Sequence, residues 1–204
     1  MKKIILDAGH GEDTPGKRSP KWQKGDQLFE WEFTRDIVEQ CSIILSNDKY
    51  DPEILVPEKR DVSIRERAGR ANEIHKAKES IFISIHGNAA PNEDEIPSGI
   101  ETFYYSKAGK IFANFLQEEL ISTLKWKDRG VRKAYQRIKN KEGKRITIYK
   151  IAILRLTDPV AILTENGFYT NYKECMKMLD PDVRSNIATA TVLGIKKYLL
   201  NKNF

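Results

Sequence analysis

The residues in this sequence best suited to chemistry are two histidines and two glutamates set far apart in the chain: His10, Glu30, His86 and Glu165. Two histidines and one carboxylate form a ligand set of the kind found in catalytic zinc hydrolase sites, where the fourth position is left to water. In that arrangement His10, Glu30 and His86 would hold one zinc ion, and Glu165 would be the acid that does not bind it. Zinc would lower the pKa of its water toward roughly 7 and polarise a carbonyl. Glu165 would take the water's proton and pass it to a leaving nitrogen. Asp7 would orient a ligand imidazole from behind. Each residue also has an ordinary reading: a histidine after a strand is commonly a loop histidine, and Glu165 could cap a helix or sit in a salt bridge.

The groups can meet only if the intervening elements bring them together. Ile4-Ile5-Leu6-Asp7-Ala8-Gly9-His10-Gly11 is an apolar, β-prone run that stops at a glycine-flanked loop presenting His10. Alone it is compatible with a phosphate cradle, a metal site or a plain turn. The pattern returns at Ser80–Ile85, which ends at His86-Gly87, and at Val160–Leu163, which ends at Thr164-Glu165-Asn166-Gly167-Phe168. Near-continuous apolar runs of this kind are expected to be strands buried on both faces. The loop from residue 8 to about 29 is long for a plain connection, and such loops tend to be functional. A helix is expected over residues 30–46, with Phe33, Ile37, Cys41, Ile44 and Leu45 on its buried stripe. At about 100° per residue Glu30 falls in the centre of that stripe and Glu32 nearly opposite. A carboxylate on a buried face needs a partner.

The other expected elements are a short strand at 53–57, a helix at 64–76 capped by Ser63 or Asp61 with Glu66 as capping-box partner, and a strand at 99–105. An amphipathic helix follows at 108–125, and helices at 172–179 and 182–200 close the chain. Residues 132–150 carry eight Lys/Arg against one acid, Glu142, and are expected to be a basic hairpin insertion turning at Glu142-Gly143. Strands alternating with helices define an α/β fold. The expectation is one domain over 1–204: a mixed, mostly parallel twisted sheet flanked by helices on both faces. Ligands sit beyond the carboxyl ends of such strands, where His10, His86 and Glu165 would stand. His75 lies at the other end of the strand that leads to His86, roughly 20 Å away at about 3.3 Å per residue, and is expected to be outside the site.

The chain has 204 residues, 40% of them apolar and 31% charged, with no low-complexity tract. The net charge of +6 is compatible with an anionic partner such as nucleic acid, membrane or bacterial wall, and equally with none. Cys41 and Cys175 fall in helical segments and are expected to be buried thiols; two cysteines cannot make a cysteine-based structural zinc site. The apolar run after Met1-Lys2-Lys3 stops at Asp7, short of the roughly 7–15 residues of a signal-peptide core, and no stretch reaches the roughly 20 apolar residues of a membrane span. The chain is therefore expected to be made as a soluble cytoplasmic protein without a leader, unless one has been removed. Gly9-x-Gly11 imitates a dinucleotide fingerprint, but Thr14 replaces its third glycine and Pro15-Gly16 blocks the helix that should follow. There is no P-loop, no H-E-x-x-H and no G-x-S-x-G.

Leu6-Asp7-Ala8-Gly9-His10-Gly11, Ser84-Ile85-His86-Gly87-Asn88-Ala89, Asp128-Arg129-Gly130-Val131 and Thr164-Glu165-Asn166-Gly167-Phe168, in this order, resemble the zinc-dependent N-acetylmuramoyl-L-alanine amidases of the amidase-3 type. Val62-Ser63-Ile64, Arg67 and Ala71-Asn72 add to the likeness, which covers nearly the whole chain. It implies hydrolysis of the amide between N-acetylmuramic acid and L-alanine in peptidoglycan. It also implies zinc on His10, Glu30 and His86, Glu165 as catalytic acid, Asn88 near the substrate, and Arg155 on a stem-peptide carboxylate. Ala8 stands where the family usually has proline, Gly87 where it has alanine, and Thr34 where an asparagine is common. The setting expected is a phage or prophage lysin acting on the wall after release, or else a division or sporulation amidase. A monomer that binds peptidoglycan and no nucleic acid is expected. The rival readings are a zinc peptidase cutting within the stem peptide and a non-catalytic wall-binding or nucleic-acid-binding module.

Overall fold

The structure, a computed structural model, describes residues 1–22, 25–90, 97–139 and 145–201. Six strands form the main sheet: β1 (Lys3–Ala8), β2 (Asp51–Ile54), β3 (Ser80–Asn88), β4 (Ile100–Tyr104), β5 (Asp128–Lys133) and β8 (Val160–Phe168), in the order β2-β1-β3-β8-β4-β5. The first four in that order are parallel; β4 runs antiparallel to β8, and β5 parallel to β4. β6 (Tyr135–Lys139) and β7 (Arg145–Tyr149) pair separately as an antiparallel ribbon within the basic segment. The turn expected at Glu142-Gly143 lies outside the described residues.

Helices α1 (Glu30–Asn47), α2 (Ile64–Ala77), α3 (Lys107–Leu124), α4 (Ile153–Leu156), α5 (Tyr172–Leu179) and α6 (Pro181–Leu200) cover both faces, and strand alternation decides which residues each receives. Ile4, Leu6, Ile81, Ile83 and Ile85 pack with Phe33 and Ile37 of α1, Phe112 and Leu116 of α3, and Ile187 and Ile195 of α6. The alternate residues Ile5, Phe82, Ala161 and Leu163 face Ala68 and Ala71 of α2 and Ile153 and Leu154 of α4. Both faces of the central strands are thus apolar, as their unbroken hydrophobic runs require.

Ser63 caps α2 by accepting from the Glu66 amide at 3.2 Å. Cys41 and Cys175 are both buried free thiols, and the Cys175 sulfur accepts from Trp22 Nε1 at 3.2 Å. His75 Nδ1 accepts from the Ser80 amide at 3.1 Å, at the start of β3 and away from His86. Among the described residues no helix is long and apolar enough to cross a membrane.

Four strands differ from the sequence expectation. β2 begins at Asp51 and ends at Ile54, opposite Leu6, after which Leu55 and Val56 turn into the second core. β3 and β8 do not stop before His86 and Glu165 but run through them, pairing those two residues directly. β5 was not expected at all: Asp128-Arg129-Gly130-Val131-Arg132-Lys133 lacks an apolar period, and pairing with β4 alone makes it a strand.

Candidate metal centre

β1 delivers His10 two residues beyond its last paired position, in a left-handed backbone conformation (φ 60°) that a non-glycine residue adopts only when held there. Two guanidiniums do the holding: Arg35 Nη1 and Arg67 Nη2 donate to the His10 carbonyl at 2.9 and 3.1 Å. Thr34 Oγ1 donates to the Gly9 carbonyl at 2.9 Å, tying α1 to the same loop. Gly9 and Gly11 are required by close approach. A Cβ on Gly9 would press against the His86 ring, 2.4–2.7 Å from three of its atoms, and one on Gly11 would strike the backbone at Asp61. These glycines therefore leave room for protein atoms.

Asp7 does not orient an imidazole, contrary to the expectation above. Its Oδ1 accepts from Arg67 Nη1 at 2.6 Å and its Oδ2 from Ser84 Oγ at 2.6 Å. It anchors the arginine that holds His10, so its influence on that ligand passes through Arg67.

Glu30, the first residue of α1, is fully buried, as its place on the apolar stripe requires. Its Oε1 lies 3.1 Å from His86 Nδ1 and accepts from the Gly87 amide at 3.1 Å. Its Oε2 lies 3.6 Å from His10 Nε2 and has no hydrogen-bond partner among the described residues. The two imidazoles meet edge to face with centroids 5.0 Å apart, and donor atoms from His10, Glu30 and His86 all lie within 4.8 Å of one another. A buried, unpartnered carboxylate oxygen is costly, and a cation among these three side chains would satisfy it. The donor set of two nitrogens and one oxygen fits a divalent transition metal. Glu32, by contrast, is exposed.

Glu165 sits on β8 between two registered neighbours, His86 on β3 and Glu101 on β4. Its Oε2 is buried without a hydrogen-bond partner. Burial, reinforced by the charges of Glu30 and Glu101 and opposed by His86, pushes its carboxyl up to about 8. Burial brings His10 down to about 4, against the attraction of Glu30. Burial would also lower His86, but its hydrogen bond to Glu30 and the charges of Glu165, Glu30 and Asp7 prevail and raise it. Glu30 itself stays below the usual carboxylate range, because His86 and His10 outweigh its desolvation. Tyr169, which sequence reasoning missed, is buried at this edge; desolvation together with the charges of Glu30 and Glu165 raises its hydroxyl. Nothing but its position after Glu165-Asn166-Gly167-Phe168 could have signalled it.

On the α2 side of His10 and His86 opens a cavity of about 360 Å³, with Val62, Ile64, Ile151, Ile153 and Leu163 among its walls and Lys150 at its edge. On the other side, Asn88 Nδ2 donates to Glu101 Oε1 at 2.8 Å. Arg155 is exposed on α4, with its guanidinium 4.9 Å from the centre of the Tyr149 ring, and it does not line the cavity. Gly87 packs so tightly that an alanine methyl would lie 3.0 Å from Met178 Cε and 3.3 Å from Tyr169 Cδ1. An alanine here would need those two side chains to give by a few tenths of an ångström.

A parallel-centred α/β sheet that gathers two histidines and two carboxylates at one end is the arrangement a metal-dependent hydrolase would need. The sequence profile of the N-acetylmuramoyl-L-alanine amidase family, amidase-3 type, matches residues 4–197, and the chain belongs to that family. It is similar to the germination-specific N-acetylmuramoyl-L-alanine amidase of Bacillus subtilis, 28% identical over 98% of this chain and 81% of that protein. It is equally similar to the endolysin of Bacillus phage SPP1, 28% identical over 98% of this chain and 67% of the endolysin. Among solved structures, the N-acetylmuramoyl-L-alanine amidase of Clostridium difficile 630 superposes with a TM-score of 0.79 at 26% identity, covering 99% of this chain and 98% of its own. The activity is accordingly that of a cell-wall amidase.

Proposed function

We propose that the chain hydrolyses the amide joining N-acetylmuramic acid to L-alanine, using one zinc ion held by His10, Glu30 and His86 and the carboxylate of Glu165 as proton carrier. The observation that carries this reading is the orphaned, buried Glu30 Oε2 facing His10 while Oε1 faces His86. Zinc there would supply Lewis acidity toward a carbonyl oxygen and toward water.

The chain's own residues supply the rest. Glu30 and the two imidazoles present donors that burial and tight packing hold in place. Glu165, whose Oε2 no group among the described residues satisfies, takes one proton from water as the water oxygen adds to the scissile carbonyl carbon. The same carboxyl then gives that proton to the alanine nitrogen as the carbon–nitrogen bond breaks, leaving a muramoyl carboxylate and a free amino terminus. A carboxyl held well above its usual range accepts a proton more readily than an ordinary carboxylate, and still yields it to the more basic leaving nitrogen. Asn88, fixed by Glu101, orients substrate through its amide. Arg155 makes no contact with the cluster, so the stem-peptide role implied for it has weaker geometric support. The reading takes the chain to be a monomer acting on peptidoglycan after release to the wall, the setting that the SPP1 endolysin likeness favours.

Mass analysis of digested peptidoglycan tests the substrate. Release of intact stem peptides with L-alanine at the amino terminus is expected. Fragments cut inside the stem would replace the amidase with a peptidase.

A further inference from the structure

The registered row of residues that contains His86 and Glu165 does not end at the catalytic edge. It continues through Glu101 on β4 to Gly130 on β5, and two arginines flank that last position. Glu101 is only 5% exposed. Arg132 Nε lies 2.9 Å from Glu101 Oε2, and Arg129 Nε lies 3.4 Å from Oε1. The Arg129 guanidinium is stacked 4.8 Å from the centre of the Phe168 ring, which fixes its plane. Yet among the described residues its Nε has no hydrogen-bond partner, and its Nη1 makes just a 3.5 Å contact with the Ser98 carbonyl. Among the described residues, two guanidiniums thus face one carboxylate, and the less exposed of the two keeps most of its donors free.

We propose that Arg129 and Arg132 form a subsite for a carboxylate of the stem peptide, within the first three residues after the scissile amide. The inference rests on the amidase reading. Two strand spacings, roughly 10 Å, separate β8 from β5. An extended peptide covers that distance in about three residues at roughly 3.3–3.6 Å each. A guanidinium with free parallel donors matches a carboxylate in shape as well as charge. A bound carboxylate would bring the cluster to two cations and two anions. The cavity on the opposite side of His10 is lined by Lys150 and Arg67, but the Arg67 guanidinium is already occupied by Asp7 and by the Ala8 and His10 carbonyls, so the fork with free donors lies toward β5. The carboxylate role fits Arg129 better than Arg155, which stands exposed on Tyr149.

The test compares two synthetic muramoyl-L-alanyl peptides that differ only at the second residue, D-glutamate with its α-carboxylate free or D-isoglutamine with that group amidated. The wild-type enzyme should favour the carboxylate form in kcat/KM by roughly 10-fold to 100-fold, mostly through KM, as expected for hydrogen bonds to a charged group. The preference should shrink with added salt. In Arg129→Gln combined with Arg132→Gln the ratio should collapse toward one; Arg129→Lys should restore only part of it. Equal wild-type efficiency on both peptides would overturn the subsite while leaving the amidase reading intact, and this comparison needs no variant to fold. Variants that depress both substrates with the ratio unchanged would also overturn it. Release of no L-alanine amino terminus from either peptide would overturn both the subsite and the reading beneath it.

Discussion

Glu30 reaches His86 from a different layer of the fold: Oε1 at the start of α1 lies 3.1 Å from Nδ1 of an imidazole carried by β3. The contact joins a helix terminus to a strand in the main sheet, and it leaves the second carboxylate oxygen buried beside His10. A carboxylate so placed has its geometry set by the core, because Phe33 and Ile37 of the same helix are fully buried.

Removing a ligand should therefore separate cleanly from removing a neighbour. Glu30→Gln and His86→Ala should each lower zinc affinity by more than the roughly 10–100-fold typical of an outer-shell partner. Glu32→Gln, two residues further on and on the exposed face of α1, should leave it unchanged. Competition with a chromophoric chelator measures all three.

The buried Arg67–Asp7 pair supports His10 from below. Arg67→Met should destabilise the metal-free protein by about 3–5 kcal/mol, the cost of leaving a buried partner charge unpaired, as read by urea unfolding. The double variant with Asp7→Asn should lose less than the sum of the singles. Because Arg67 also grips the His10 carbonyl, metal affinity should fall with it.

Gly9→Ala drives a methyl against the His86 ring, 2.4 Å from its nearest atom, so zinc binding should weaken even if the protein remains folded. Gly69→Ala is the opposite case. Gly69 is exposed within α2 and nothing lies near its would-be Cβ, so alanine should stabilise the protein by about 0.5–1 kcal/mol through helix propensity. Thermal melts and metal titrations of both variants check the contrast.

Protons and metal compete for the same imidazole lone pairs, and the two histidines should compete in different ranges. His86 is raised above its ordinary value by Glu30, Glu165 and Asp7 against its burial, whereas burial holds His10 down at about 4. Above the raised value both rings are neutral and affinity is greatest. As pH falls through it, only His86 gains a proton, so apparent zinc affinity should drop about tenfold per pH unit. The second histidine should join only near pH 4. Titrations between pH 5 and 8 that showed a flat affinity would contradict this assignment.

Most of the fold was legible because its strands are unusually explicit. Ile4-Ile5-Leu6 and Ile81-Phe82-Ile83 are apolar on both faces, and the helical stripe from Phe33 to Leu45 places Glu30 inward. His10, Glu30, His86 and Glu165 could be nominated from those patterns, since each follows an apolar run or opens an amphipathic helix. What could not be read was set by pairing and packing at a distance. β5 has no hydrophobic period, and only β4 makes it a strand. Asp7 looks like a partner for an imidazole until Arg67, sixty residues on, claims it. Tyr169 and the Arg129–Glu101 contact likewise depend on which strands lie side by side.

The division between ligands and proton carrier is the centre of the account, and Glu165→Gln tests it most directly when metal content and turnover are measured on the same sample. The variant should retain one zinc per chain, because Glu165 is not among the three side chains that gather at the candidate metal centre. Its hydrolysis of peptidoglycan should fall by roughly 10²–10⁴-fold, the usual contribution of a positioned acid–base group. Zinc lost together with activity would make Glu165 a ligand. Turnover persisting at the wild-type rate with zinc in place would remove it from the chemistry.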